Sequence, residues 1–385
     1  MRNIDQMLVE ANGLLAMKNV VQAIALCEEI LDESPRLPDA VRILSLSLIS
    51  IGKVDLAIKS LKDGLQTYPN SEMLLSILAE QYLNNNKLID AELLLNQALS
   101  TSPEHLASNI LLGVTLVHQS RNKEAEIYLR SALSIQQKQN QDILATYHSL
   151  SAALMPGESY GYFLTQFHRW INPGCYVEIG VETGATLALA QTETIAIGID
   201  PNPVISVPLS NKTQVYDVES DIFFKRNEEE LILKENSIDF SFIDGLHIFD
   251  QALRDFINVE KFSHSETVIA IHDCLPLDAL SSEAERTTNF WSGDTWKVMA
   301  ILRCYRPDLT CFTIPASPTG LGVVSNLDPK NTILEDNYDE IIAIYKNKNY
   351  DWLVEQGLND TLGVFESDWS KIKERIKLEN KKSKC

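Results

Sequence analysis

Two short stretches gather the groups of this 385-residue chain best suited to moving protons or holding cations. One is "FIDGLHIFDQALRDF" (242–256), in which Asp244 precedes a glycine and His247 follows in the next loop. The other is "AIHDC" (270–274), where His272 and Asp273 stand one helix and one strand further along the chain than Asp244. If their segments lie side by side, these side chains can converge, and three kinds of chemistry are open to them. Asp244, His272 and Asp273 can hold a hard divalent cation such as Mg²⁺, for which oxygen ligands are suited and the imidazole is less typical. Such an ion lowers the pKa of a hydroxyl bound to it. Without a metal, His247 or His272 can take the proton as general base, because imidazole titrates near neutral pH. In the third case the groups only hydrogen-bond the loops around them.

A ligand loop precedes both stretches. In "YVEIGVETGATL" (176–187) an apolar run carries Glu178 and then breaks at Gly180 and Gly184. A dinucleotide needs G-x-G-x-x-G so that its pyrophosphate can approach the backbone at a helix N-terminus. Glu182, a bulky anion, stands where the middle glycine would be. S-adenosyl-L-methionine has a zwitterionic end, a sulfonium and no phosphate. Glu178 can help hold its ammonium, and Asp200, about 20 residues after Gly180, can accept from both ribose hydroxyls. Beyond the next apolar run, Ser220 and Asp221 of "VESDIFF" can edge the adenine, with Phe223 or Phe224 packed on it.

With Glu178, Gly180, Gly184, Asp200 and the "IDGxH" segment in order, residues 170–325 resemble the class I S-adenosylmethionine-dependent methyltransferases. Within them the chain is most similar to the subgroup with a short "EIGxxxG" loop, as in sugar and macrocin-type O-methyltransferases. The resemblance implies a Rossmann-like α/β fold, S-adenosyl-L-methionine as cofactor and a small-molecule hydroxyl acceptor such as a sugar. Its sugar and catechol members carry acids matching Asp244 and Asp273, which implies Mg²⁺, whereas the place of His272 is usually an acid or amide. The segment "NFWSGDTWKVMAILRCYRPDL" (289–309) opens with Trp291, Asp294, Trp296 and Lys297. It reads either as part of an acceptor pocket or as a helix cap with tryptophans packed on the domain.

The elements that position these groups alternate. Apolar runs at 175–180, 194–200, 213–218, 238–244 and 267–273 are separated by helix-like segments at 183–191, 222–234 and 248–262. Such alternation predicts a parallel sheet covered on both faces, with ligands beyond the carboxyl ends of the strands. Runs at 309–315 and 320–326 are close enough for a hairpin that finishes the sheet antiparallel.

The first 150 residues follow another rule. Ala23, Ala57, Ala91 and Ala125 recur at one even spacing, and Pro35, Pro69 and Pro103 follow the first three at a fixed distance. Ala11, Ser45, Ala79 and Gly113 precede the alanines in the same register. Small residues at one period allow helix pairs to approach closely, and a proline stops the second helix of each pair. This resembles the tetratricopeptide repeat, whose unit is about 34 residues. The resemblance covers residues 4–139 and departs at Asn109 and Gln137 in the fourth unit. Residues 142–154 read as a closing helix. The resemblance implies a protein or peptide partner, or a homodimer.

Composition bounds the rest. A net charge of −20 excludes nonspecific nucleic-acid binding. No apolar run spans a bilayer and no secretion signal is read at the N-terminus, so a cytoplasmic protein with six reduced cysteines is expected. The expected organisation is a repeat domain at 1–155, a methyltransferase domain at 156–330 and a helical tail at 331–385, whose basic end reads as a frayed, solvated helix. The alternative is a non-enzymatic repeat protein with a degenerate cofactor domain. Retention of both Glu178 and Asp200 disfavours it.

Overall fold

The period of small side chains becomes four helix pairs: Ile4–Ala16 with Val20–Glu33, Pro38–Ser50 with Val54–Thr67, Glu72–Asn84 with Leu88–Thr101, and Leu106–His118 with Asn122–Lys138. The computed structural model describes residues 3–35, 37–139, 141–230, 233 and 237–382, and the chain divides into two units between Leu154 and Met155. In the first unit Ala23, Ala57, Ala91 and Ala125 are fully buried, as are Cys27, Leu61, Leu95 and Leu129 one turn on. Each pair turns at a residue of positive φ, with Lys18, Gly52, Asn86 and Ser120 in the same place of successive repeats. Prolines follow the second helices of the first three pairs, each 14 residues long; Gln137 lacks that stop, and the fourth helix runs for 17. Asn109, polar at an otherwise apolar position, donates to the carbonyls of Pro103 and His105 and is thereby satisfied. Leu144–Leu154 closes the unit.

The second unit holds seven strands: β1 Cys175–Ile179, β2 Ile195–Asp200, β3 Thr213–Asp217, β4 Ile238–Ile243, β5 Ser263–His272, β6 Thr310–Ile314 and β7 Leu321–Ser325. Their order is β3-β2-β1-β4-β5-β7-β6, parallel except for β7, which is antiparallel to both neighbours. The predicted hairpin exists, with its second strand inserted beside β5. One face of the sheet carries Val177, Ile197 and Ile269, and the other Tyr176, Ala196 and Val268, each in its own apolar cluster. This is the mostly parallel sheet the alternation predicted and the Rossmann-like arrangement the resemblance implied; the first unit is an all-helical repeat.

Two expected elements differ. The helix at 183–191 is one 3-10 turn, Leu187–Leu189. Gly184, at φ +82°, breaks the chain direction, and the Thr186 side chain is drawn inward to Glu178, leaving no run long enough for a helix. The helix at 222–234 is seen as Ser220–Glu230; most of its remaining span lies outside the described residues, as does Cys385. The described part of the tail reaches the core, whereas in its basic end the side chains of 377–382 and residues 383–385 lie outside the described residues. Leu334, Ile341, Tyr345, Leu353 and Leu362 join one face of the core. Ile372 and Ile376 of Trp369–Lys382 join the other.

Candidate functional site

Register places the site. Ile199, Ile179, Ile243 and Ile271 pair in one row across β2, β1, β4 and β5. The next residue of each strand is Asp200, Gly180, Asp244 or His272, so four expected site residues share one edge of the sheet. A cavity of about 780 Å³ opens there, and all four line it. Gly180 has φ +85°, and a Cβ on it would stand 1.9 Å from the carbonyl oxygen of Asp244. Only glycine lets the loop lie against the end of β4.

The two acids of the loop act first on the loop itself. Asp200 accepts the amides of Val181 and Glu182 on Oδ2, both at 2.9 Å, and that of Asn202 on Oδ1 at 2.7 Å. Glu178 is fully buried and lies outside the cavity lining. The Tyr176 and Thr186 hydroxyls donate to its two oxygens at 2.5 and 2.7 Å. Burial outweighs these bonds and pushes its carboxyl up to about 8. Gly184 supports the loop from outside the lining, against Ile205.

Asp244, His247, His272 and Asp273 converge. Asp244 Oδ1 is 3.0 Å from His272 Nδ1 and 3.9 Å from His247 Nε2. Asp273 Oδ2 lies 2.5 Å from His247 Nδ1, a charge contact rather than an aligned hydrogen bond. Thr319 donates to Asp273 Oδ1 and its hydroxyl lies 3.4 Å from His272 Nε2. Asp244, His247 and Asp273 each offer a ligand atom, all within 4.8 Å of one another. His272 falls outside that set, its Nδ1 being turned to Asp244. Burial disfavours the His272 imidazolium, but Asp244 and Asp273 outweigh it and hold the ring up at about 9. Burial likewise opposes ionised Asp244, yet the two histidines keep it below its ordinary value. His247, pulled down by burial, is lifted above its ordinary value by Asp273 and Asp244.

Ser220 and Asp221 line the cavity near the end of β3. Phe223 and Phe224 do not: both are 2% exposed in the core, because that face of their helix packs against Tyr216 and Phe262. Of the aromatic and charged cluster after β5, only Trp291 reaches the site, its ring stacked on His247 at 5.2 Å. Trp296 is fully buried, and Lys297 pairs with buried Asp294 at 2.8 Å. Asp294 also caps Phe249–Lys261 by accepting the amide of Phe249 at 2.8 Å.

Sequence reasoning does not reach Tyr160, Thr319 or Asp255. The Tyr160 ring lies 4.2 Å from that of His272. Tyr160 and Thr319 carry no local signal, since each is brought in from a distant segment. Asp255 does leave one. It shares the buried face of Phe249–Lys261 with Ala252, Phe256 and Val259, and an acid in an apolar stripe needs a reason.

A family model described as a methyltransferase domain matches residues 177–274, from β1 to just past β5, and so spans the glycine loop and the Asp244 cluster. The second unit therefore has both the fold and the sequence pattern of a methyltransferase domain. Among solved structures, the chain resembles a thermophilic tetratricopeptide-repeat protein of Thermus thermophilus, at 19% identity over 44% of this chain and 91% of that one, with a TM-score of 0.36. It also resembles PilF of Pseudomonas aeruginosa, at 17% identity over 43% and 82%, TM-score 0.36. A MamA chain of Desulfovibrio magneticus is similar at 13% identity over 39% and 82%, TM-score 0.34. No curated protein matches the chain. Among the described residues no helix is long and apolar enough to cross a membrane.

Proposed function

We propose that the second unit transfers a methyl group from S-adenosyl-L-methionine to a hydroxyl of a small polar acceptor such as a sugar, and that the repeat unit binds a protein or peptide partner or a second copy of the chain. One observation carries the cofactor reading. The cavity is lined by Glu182, Asp200, Glu219, Asp221, Asp244 and Asp255, with His247 and His272 and, among the described residues, with no lysine or arginine. Such a wall attracts a sulfonium and an ammonium and repels a pyrophosphate. Asp200 has about four acceptor sites and spends three on backbone amides, which leaves room for one ribose hydroxyl. Glu178 acts from behind, fixing the loop through Thr186.

Transfer needs donor, methyl and acceptor oxygen in line and one proton removed. His272, held at about 9, is an imidazolium at neutral pH and a poor base. His247 is the better placed, its side chain 29% exposed against 10% for His272, with Asp273 behind it to hold the ring and balance its charge. The approach of Asp244, His247 and Asp273 favours a second reading, in which they hold a divalent cation that would lower the pKa of the acceptor hydroxyl. Both assign Asp244→Asn a turnover loss of about 10² or more with cofactor affinity nearly kept. Chelation by EDTA abolishes activity only in the second.

The test of the cofactor assignment is a calorimetric titration of the full chain with S-adenosylhomocysteine and, in parallel, with NAD. Binding of the first alone is expected. Binding of NAD alone overturns the assignment.

A further inference from the structure

Asp255 lies on the cavity wall, 1% exposed, and beyond its share of the wall's charge the proposed transfer gives it no task. Its Oδ1 is fully used: the Ser220 hydroxyl donates to it at 2.6 Å and the Gln251 amide at 3.1 Å. These two bonds fix the carboxyl plane. Its Oδ2 has no hydrogen-bond partner among the described residues. It lies toward Gly245, where a Cβ would stand 3.7 Å away and which, like Asp255, lines both this cavity and a pocket of about 10 Å³. An acceptor with no protein donor on the wall of a ligand cavity can take one from the ligand. Burial holds this carboxyl up at about 6, so above neutral pH it is mainly ionised and an acceptor only.

Asp221 is placed differently. Its side chain is 44% exposed and its Oδ2 pairs with Arg254 at 3.2 Å. Arg254 in turn donates to the Tyr338 hydroxyl of the C-terminal tail at 2.6 Å. Asp221 also lines the cavity, but one of its oxygens is thus met by a cation.

Resting on the cofactor reading above, we propose that Asp255, rather than Asp221, selects the base of the nucleoside, its Oδ2 accepting from the 6-amino group of adenine. A 6-oxo purine puts an acceptor where that donor stands, and two acceptors then face each other. A site built to pair a buried polar group discriminates strongly against a ligand that cannot pair it.

The test compares S-adenosylhomocysteine with S-inosylhomocysteine by calorimetry at pH 8 on the full-length protein. The wild type should prefer the adenosyl compound by about tenfold or more. Asp255→Asn, which can donate from Nδ2, should bring the two affinities together or invert them, and Asp221→Asn should leave the preference in place. Equal wild-type affinities overturn the inference without any variant, so a misfolded Asp255→Asn cannot shelter it. A preference retained in Asp255→Asn, or lost in Asp221→Asn, also overturns it while leaving the cofactor reading intact. Failure of the wild type to bind either compound removes the cofactor reading and this inference with it.

Discussion

Replacing His168 by phenylalanine should remove a large part of the second unit's loss of stability in acid. His168 stands on Tyr160–Ile171, 1% exposed, with neither ring nitrogen hydrogen-bonded among the described residues. Its ring meets Tyr176 edge-on at 4.5 Å and Phe240 at 5.1 Å, an aromatic box that offers an imidazolium no carboxylate. Burial therefore holds it down at about 4, against an ordinary value of 6.5. The unfolded chain takes up the proton first as pH falls, so it binds more protons than the folded chain between those values. Stability must then fall as pH drops through that window. Each tenfold difference in proton affinity between the folded and unfolded chain is worth about 1.4 kcal/mol, giving a full loss of about 3 kcal/mol and about 2.5 kcal/mol by pH 4.5. Phenylalanine fits the box and leaves no nitrogen unpaired, so at pH 7.5 the variant should lie within about 1 kcal/mol of wild type. All five tryptophans fall in the second unit, at 170, 291, 296, 352 and 369, so urea unfolding followed by tryptophan fluorescence reads that unit alone. Other groups that titrate in the window are common to both proteins and cancel in the difference. If wild type and His168→Phe lose stability in parallel between pH 7.5 and 4.5, the reasoning is refuted.

The loop glycines should separate by what a methyl group meets. Gly180→Ala puts a Cβ 1.9 Å from backbone, so the loop must leave the end of β4; a cost of at least about 2 kcal/mol and loss of S-adenosylhomocysteine binding are expected. Gly184→Ala meets only side chains, Ile205 at 3.2 Å and Val207 at 3.5 Å, and should cost about 1 kcal/mol, read by the same fluorescence assay; a larger cost at Gly184 than at Gly180 would contradict the geometry. In the repeat unit, Ala91→Trp at a fully buried contact should cost about 1–3 kcal/mol or more, read as a lowered helical melting transition in far-ultraviolet circular dichroism; an unchanged transition would mean that the small register does not face a neighbouring helix.

The repeat was legible because close helix packing demands small residues, and a demand that returns in every unit shows in one sequence. Its turns were not. The left-handed position falls on Gly52 and Asn86, which announce it, but also on Lys18 and Ser120, which do not. The strand ends were legible for a related reason. In a parallel sheet the residues that follow paired apolar runs emerge at one edge, so Asp200, Asp244 and His272 could be placed together from spacing alone. Their partners could not, since what a carboxylate meets depends on segments far away in the chain. Asp200 was expected to serve a ligand and also ties the loop, while Glu178 is drawn beneath it.

The aromatic and charged segment after β5 shows why residue type is a weak guide to exposure. Lys297 stands in a segment read as acceptor pocket or helix cap, but beside Asp294 it becomes half of a buried pair, and its ammonium lies 4.7 Å from the Phe249 ring centroid. Asp294 is then free to cap the helix that carries Asp255. The same helix supplies the counter-lesson. Its apolar stripe is regular enough to predict burial for every residue on it, and once a residue is known to be buried, its being an acid becomes informative. Two donors hold one oxygen of Asp255, and the residue stands on the cavity wall. Periodicity found the face, and the exception to the periodicity marks the residue proposed to read the ligand.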